Sequence, residues 1–265
     1  MEQLGRLIDC NGKRIYLVKG IFDYFDDKNF PRLLKAWEEA KGLQAQLYVG
    51  LYTDDVLERT GHKRRLKGRV SDQDRINLLE ALDFIDGAFC INSLDTNMIE
   101  AKLKECVAKT KDEEVSDSKY EIGYASGGFC KLHKGHVEHL REMKRQCKKT
   151  VVAINSDKLI EDYKGKRTSI NEEMRLKILS HIRYVDIAII TDRYDKMEAL
   201  EVVKQLCGKY YDAIFVGSDW RDNPKWESLE QQLNERGIKV VFTERPEQGI
   251  STTAIDKEGY NNRNS

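Results

Sequence analysis

The chain has 265 residues, enough for one large domain or two small ones. Lysine plus arginine number 45 and aspartate plus glutamate number 45, a balance that excludes the broad electrostatic drive of nucleic-acid and anionic-membrane binders, so any polyanion must be held by a local site. Hydrophobic residues at 40% beside 34% charged residues exclude a disordered chain and predict a real core.

Met1 leads into charged sequence without an apolar leader, and no window approaches the roughly 18 apolar residues of a membrane span, which predicts a soluble, cytoplasmic chain. An apolar run from Ile15 ends in Gly20-Ile21-Phe22-Asp23-Tyr24-Phe25; a helix is predicted over 31–41 and a strand over 47–54. Lys67-Gly68-Arg69 follows, then a helix opening at Arg75, the segment Leu82-Asp83-Phe84-Ile85-Asp86, apolar residues at 89–91 and a helix over 97–109. The order then recurs. A run from Ile122 ends in Gly127-Gly128-Phe129-Cys130-Lys131-Leu132, with a helix over 137–146, a strand over 151–157, Lys164-Gly165-Lys166-Arg167, a helix opening at Arg175 and Ile182-Arg183-Tyr184-Val185-Asp186. The spacing from arginine to terminal aspartate is 11 in both copies. Only the second copy continues, through an apolar stretch at 213–220, a helix over 225–236 and a strand over 239–243.

Strands alternating with helices predict an α/β fold of two tandem doubly wound parallel-sheet units: a domain over 1–112, a linker over 113–119, a second domain over 120–256 and a polar tail over 257–265. The six cysteines are scattered without a C-x-x-C pair, so reduced thiols are expected.

The chemistry concentrates at His133-Lys134-Gly135-His136, just after a strand and glycine turn and just before a helix. Histidines three apart at a helix start project together, the glycine lets backbone approach a phosphate, and the helix N-terminus adds amide donors and a positive dipole. Here the sequence resembles the H-x-G-H nucleotidyltransferase superfamily. Further matches follow in chain order: Lys164 before Gly165, Arg175, Arg183-Tyr184-Val185-Asp186, Gly217-Ser218-Asp219-Trp220, which resembles a segment of glycerol-3-phosphate cytidylyltransferases, and Arg245 and Ile250-Ser251-Thr252-Thr253, which resemble the family's R-T-E-G-I-S-T segment. The resemblance covers roughly 121–256 and implies a Rossmann-like fold and transfer of CMP from CTP to an alcohol phosphate, releasing pyrophosphate.

On this resemblance His133, His136, Lys164 and Arg245 serve the transferring phosphoryl group, and Gly127, Gly128, Phe129, Gly135, Arg175, Asp219, Ile250, Ser251, Thr252 and Thr253 bind the nucleotide. Asp219 has a second reading, as a cap for the helix after it. Mg²⁺ is expected with the triphosphate, held mostly by phosphate and water, without a protein metal site. The chain departs from the pattern at Cys130, where the family carries aspartate, and in a loop after Arg245 that is one residue longer. The first copy keeps Asp23 but has Asp26 and Asn29 at the histidine positions and lacks the Ser-Thr-Thr tail, so it reads as a degenerate, non-catalytic partner in an intrachain pseudo-dimer, compatible with a homodimer as well.

Two enzymatic alternatives are a phosphoethanolamine or phosphocholine cytidylyltransferase and a sugar-phosphate adenylyltransferase, the latter suggested by Ala153-Ile154-Asn155-Ser156-Asp157. Two others lie outside catalysis. A nucleotide sensor would have to explain the retained histidines, and a zinc-binding regulator would use Cys130, His133, His136 and His139, although a three-residue repeat drifts around a helix of 3.6 residues per turn.

Overall fold

A computed structural model describes residues 4–62, 64, 66, 69–109, 118–165, 167–193, 195–221, 223–244 and 255. They form two compact units: one holds the described residues up to 109 with Leu132–Lys134 and Ile255, and the other holds the remaining described residues from 118 to 244. The expected linker and polar tail fall largely outside the described residues.

The first unit carries a four-stranded sheet in the order β1 (Arg6–Cys10), β2 (Lys13–Gly20), β3 (Gln46–Tyr52), β4 (Gly87–Ile91). The pairs β2–β3 and β3–β4 are parallel, joined through α1 (Asn29–Gly42) and through α2 (Asp54–Arg59) with α3 (Asp72–Glu80). A doubly wound parallel sheet was expected here, and it is not what forms. β1 runs antiparallel to β2 and takes the edge that a second winding would need. The cause is local: Asn11 and Gly12, between Cys10 and Lys13, have φ of 54° and 75°, the two left-handed residues of a tight hairpin. α4 (Thr96–Ala108) covers one face, burying Ile99, Leu103 and Val107 with Ile15, Leu17 and Phe89. Within this unit Phe25 N donates to Leu132 O at 2.8 Å, and Lys134 Nζ pairs with Asp74 at 3.0 Å.

In the second unit, β7 (Ile187–Thr191), β6 (Cys147–Asn155), β5 (Tyr120–Gly127), β8 (Ala213–Gly217) and β9 (Lys239–Thr243) lie in that order and all pair in parallel. This sheet is doubly wound, and the direction of winding reverses between β5 and β8. Its connections are α5 (Lys134–Gln146), α6 (Asp157–Lys164), α7 (Glu172–Ser180), α8 (Lys196–Cys207) and α9 (Pro224–Glu235). Strands buried on both faces explain the near-continuous apolar runs, Val151 to Ile154 being wholly buried. Tyr124 and Tyr211 stack in the core with centroids 4.9 Å apart. All six cysteines are free, and no helix among the described residues is long and apolar enough to cross a membrane.

The aspartates ending the two matched segments are strand staples. Asp86 accepts from Leu47 N at 2.8 Å and Asp186 from Thr150 N at 2.8 Å; Asp212 does the same for Ile122 N at 2.7 Å. Each carboxylate satisfies an amide where a parallel strand begins. The repeated spacing of 11 therefore fixes the length of helix and turn between neighbouring strands.

Asp186→Ala leaves the buried Thr150 amide without its acceptor, while the Thr150 hydroxyl keeps Tyr184 O, and is expected to cost about 1–3 kcal/mol, read as a lower urea midpoint at unchanged slope. A second expectation concerns Lys196, whose amine is lowered to about 8 by burial against the opposing pull of Asp195. Between that value and the ordinary 10.5 the unfolded chain binds more protons than the folded one, so stability rises with pH across this window. Lys196→Met should raise Tm at neutral pH, and the gain should shrink above pH 8; an equal gain at every pH would show that the amine titrates normally.

Candidate active site

The parallel strands of the second unit all end on one side, and the crevice between the carboxyl ends of β5 and β8 is where such sheets bind ligands. β5 runs into Gly127-Gly128-Phe129, and Phe129 holds φ at 45°, a left-handed conformation that is costly for a bulky side chain. Two contacts hold it there. Its ring is buried, and it lies 5.1 Å from the His136 ring at 52°.

α5 begins one residue after the buried His133, so Gly135 and His136 lie in its first turn. No acidic residue of α5 itself lies in that first turn, and a helix N-terminus presents amide donors and a positive dipole to an anion. His139, one turn further along, contacts the Thr243 hydroxyl, itself 3.3 Å from Val216 O, and so ties α5 to the ends of β8 and β9. Among the described residues no three His, Cys, Asp or Glu side chains stand where one metal ion could be held, which leaves the zinc reading without a ligand set. Cys130 Sγ leans on Gly128 O at 3.8 Å, a packing contact.

Arg175 lies in the middle of this region and is 1% exposed. Its guanidinium donates to the carbonyls of Gly128, Asn155 (2.9 Å) and Ile170 (3.1 Å) and pairs with Asp157 at 2.6 Å. One side chain thus joins the glycine loop, the end of β6 and the approach to α7. Burial works to raise the Asp157 carboxyl, but hydrogen bonds from Arg175 and Thr168 hold it below the usual range. Lys164 ends α6, with Gly165 at φ 65° closing the helix, and its ammonium sits 4.0 Å from where a Gly128 side chain would begin. Lys164 has no carboxylate partner among the described residues; its ammonium lies 5.3 Å from the Tyr163 ring.

Gly127, Gly128, Phe129, Gly135, His136, Lys164 and Arg175 therefore gather at the strand ends. Asp219 is exposed in the 3₁₀ turn Ser218–Trp220 that leaves β8. It does not cap α9, which starts at Pro224, directly after Asn223. Arg245, Ile250, Ser251, Thr252 and Thr253 lie outside the described residues. One group was not singled out from the sequence. Asn155 is 7% exposed, and its Oδ1 has no hydrogen-bond partner among the described residues. Its position beside Ser156, the N-cap of α6, was the available signal.

The family model described as cytidylyltransferase-like matches residues 124–258. The bifunctional protein HldE of Paramagnetospirillum magneticum is 30% identical over 143 residues, 53% of this chain and 28% of that protein, so the chain spans under a third of that relative's length. FAD synthase of Aciduliprofundum boonei is 31% identical over 127 residues, 48% of this chain and 79% of that enzyme. The lipopolysaccharide core biosynthesis protein of Thermoplasma volcanium is 28% identical at a TM-score of 0.39, covering 48% of this chain and 97% of its own. With a family match over half its length that includes the H-x-G-H motif, the chain belongs to the cytidylyltransferase-like family of nucleotidyltransferases.

Proposed function

We propose that the second unit transfers a nucleotidyl group, CMP from CTP in the reading we favour, to the phosphate of a small alcohol phosphate such as glycerol 3-phosphate. The observation that carries this is the convergence of the α5 N-terminus, His136, the Gly128 backbone and the Lys164 ammonium at one set of strand ends. An acceptor phosphate oxygen attacks the α-phosphorus; the new P–O bond forms as the bond to the β-phosphate oxygen breaks and pyrophosphate leaves. No covalent enzyme intermediate is needed. Catalysis then rests on position and on stabilising phosphoryl charge. His133 and His136 donate to the α-phosphoryl oxygens, and Lys164 neutralises phosphate. Arg175 acts through Gly128 as a positioning residue, since its nitrogens are already engaged. Arg245 and Ser251 to Thr253 complete the triphosphate cradle in this proposal. In this reading Mg²⁺ is held with the triphosphate mainly by phosphate and water.

The first unit is read as a non-catalytic copy. What supports this is Arg64, whose guanidinium fills the position beside the matching loop by pairing with Asp23 at 2.7 Å and Asp54 at 2.6 Å. A second reading, adenylyl transfer, is favoured by the Asn155-Ser156-Asp157 segment and by the FAD synthase relative, whose named product contains adenine.

Pyrophosphate release with CTP against ATP, over a panel of glycerol, ribitol, ethanolamine, choline and sugar phosphates, tests the choice; turnover with ATP alone would replace the CTP reading. His136→Ala is expected to lower kcat roughly a hundredfold or more with the fold retained, as loss of one transition-state donor does. Lys164→Ala should reduce kcat/KM about tenfold or more, the loss of one charge-assisted contact. Unchanged kinetics in both variants would remove the site assignment.

A further inference from the structure

The first unit contains a cleft of about 370 Å³ that Arg64 does not line. It opens beside the carboxyl end of β2 and the start of α4, and its volume is within the range of small-molecule sites. Its lining is mixed, with an apolar part supplied by Leu17 and Ile99, 5% and 7% exposed, which both belong to the core under α4. Lys19 stands two residues beyond Leu17 on β2, hence on the same face of the strand. Arg32, from the first turns of α1, and Arg6, from β1, complete a basic rim.

Lys19 and Arg32 have no carboxylate partner among the described residues, and Tyr52 also lines the cleft. Arg6 reaches Glu100 only at 3.8 Å. Arg64, in the same unit, is the contrast: its guanidinium is fully engaged by two carboxylates and by Val70 O. Three cations against the single carboxylate of Glu100 leave a local surplus of two positive charges in a chain whose net charge is zero. A carboxylate ligand would answer half of that surplus. A phosphomonoester, with a charge of about −1.5 to −2 at neutral pH, answers all of it. The α4 amides do not contribute, because Asp95 already caps them through Asn97 N and Met98 N.

We propose that this cleft is a second binding site, for a small phosphomonoester with an apolar body: the phosphate on Lys19, Arg32 and Arg6, the body on Leu17, Ile99 and the Tyr52 ring. The proposal does not rest on the transfer reaction assigned to the second unit. It gives the first unit a ligand of its own.

The test uses the full chain with labelled isoleucine methyl groups, titrated with phenyl phosphate, inorganic phosphate and benzoate. Ile8 and Ile99 report on the cleft, and Ile154 and Ile160 on the second unit. The expected result is a saturable shift of the Ile8 and Ile99 signals with phenyl phosphate, and binding at least about tenfold weaker for inorganic phosphate, which lacks the body, and for benzoate, which lacks the second charge. Lys19→Ala with Arg32→Ala, both at exposed positions, should abolish the shift at Ile8 and Ile99 while leaving the Ile154 and Ile160 signals where they are in the wild-type chain. Absence of a saturable shift in the wild-type chain, benzoate binding as tightly as phenyl phosphate, or unchanged binding by the double variant would each overturn the proposal.

Discussion

The second unit depends on one buried guanidinium. Arg175 is removed from water, and its charge is stabilised by three carbonyls and the Asp157 carboxylate. A buried cation without such partners would cost several kcal/mol, so its neighbours are confined to the arrangement that satisfies it. Because the carbonyls belong to Gly128, Asn155 and Ile170, the loop after β5, the end of β6 and the approach to α7 are fixed by the same side chain. Asp157 adds reciprocal bonds with Glu172, its N–H donating at 2.6 Å and its carboxylate accepting from Glu172 N at 3.1 Å.

The first unit uses related letters for a different end. Arg75 is wholly buried and donates to Tyr52 O at 2.9 Å, much as Arg175 does to Asn155 O. Yet the neighbouring aspartate, Asp54, is bound by Arg64 and not by the helix arginine. Burial pushes the Asp23 carboxyl above its ordinary range, with Arg64 opposing it, while burial works against the Arg64 charge and the hydrogen bonds to Asp54 and Asp23 outweigh it. A triphosphate brought to this loop would have to displace an ion pair that is already desolvated.

Much of this was legible in the sequence. Buried parallel strands announce themselves as apolar runs, and the alternation of strand and helix needs no contact information. Helix starts were read late: α3 and α7 begin three residues before Arg75 and Arg175, because Ser71 and Asn171 cap them, and Ser71 with Asp74 forms a capping box that was open to reading. β1 escaped because a five-residue edge strand carries little periodicity, although Asn11-Gly12 marked its hairpin. Side-chain roles were less accessible. An arginine near a phosphate motif reads as a phosphate ligand, and only the fold shows that the nitrogens of Arg175 face carbonyls. Asn155 looked like one more strand residue until its Oδ1 was found buried without a partner among the described residues.

The strained loop follows from the same tie. A left-handed residue with a Cβ costs roughly 1–2 kcal/mol, and Phe129 would relax if its surroundings allowed it. Burying an aromatic ring of this size returns more than that, and relaxation would drag the ring out of its place against His136. The Gly128 carbonyl, one residue earlier, is meanwhile held by Arg175. The backbone that must approach a phosphate is thereby set from both sides before any substrate arrives. For the proposed reaction, which asks the protein for position and charge and little else, rigidity at Gly128 counts toward catalysis, and it is supplied by the side chains of Phe129 and Arg175.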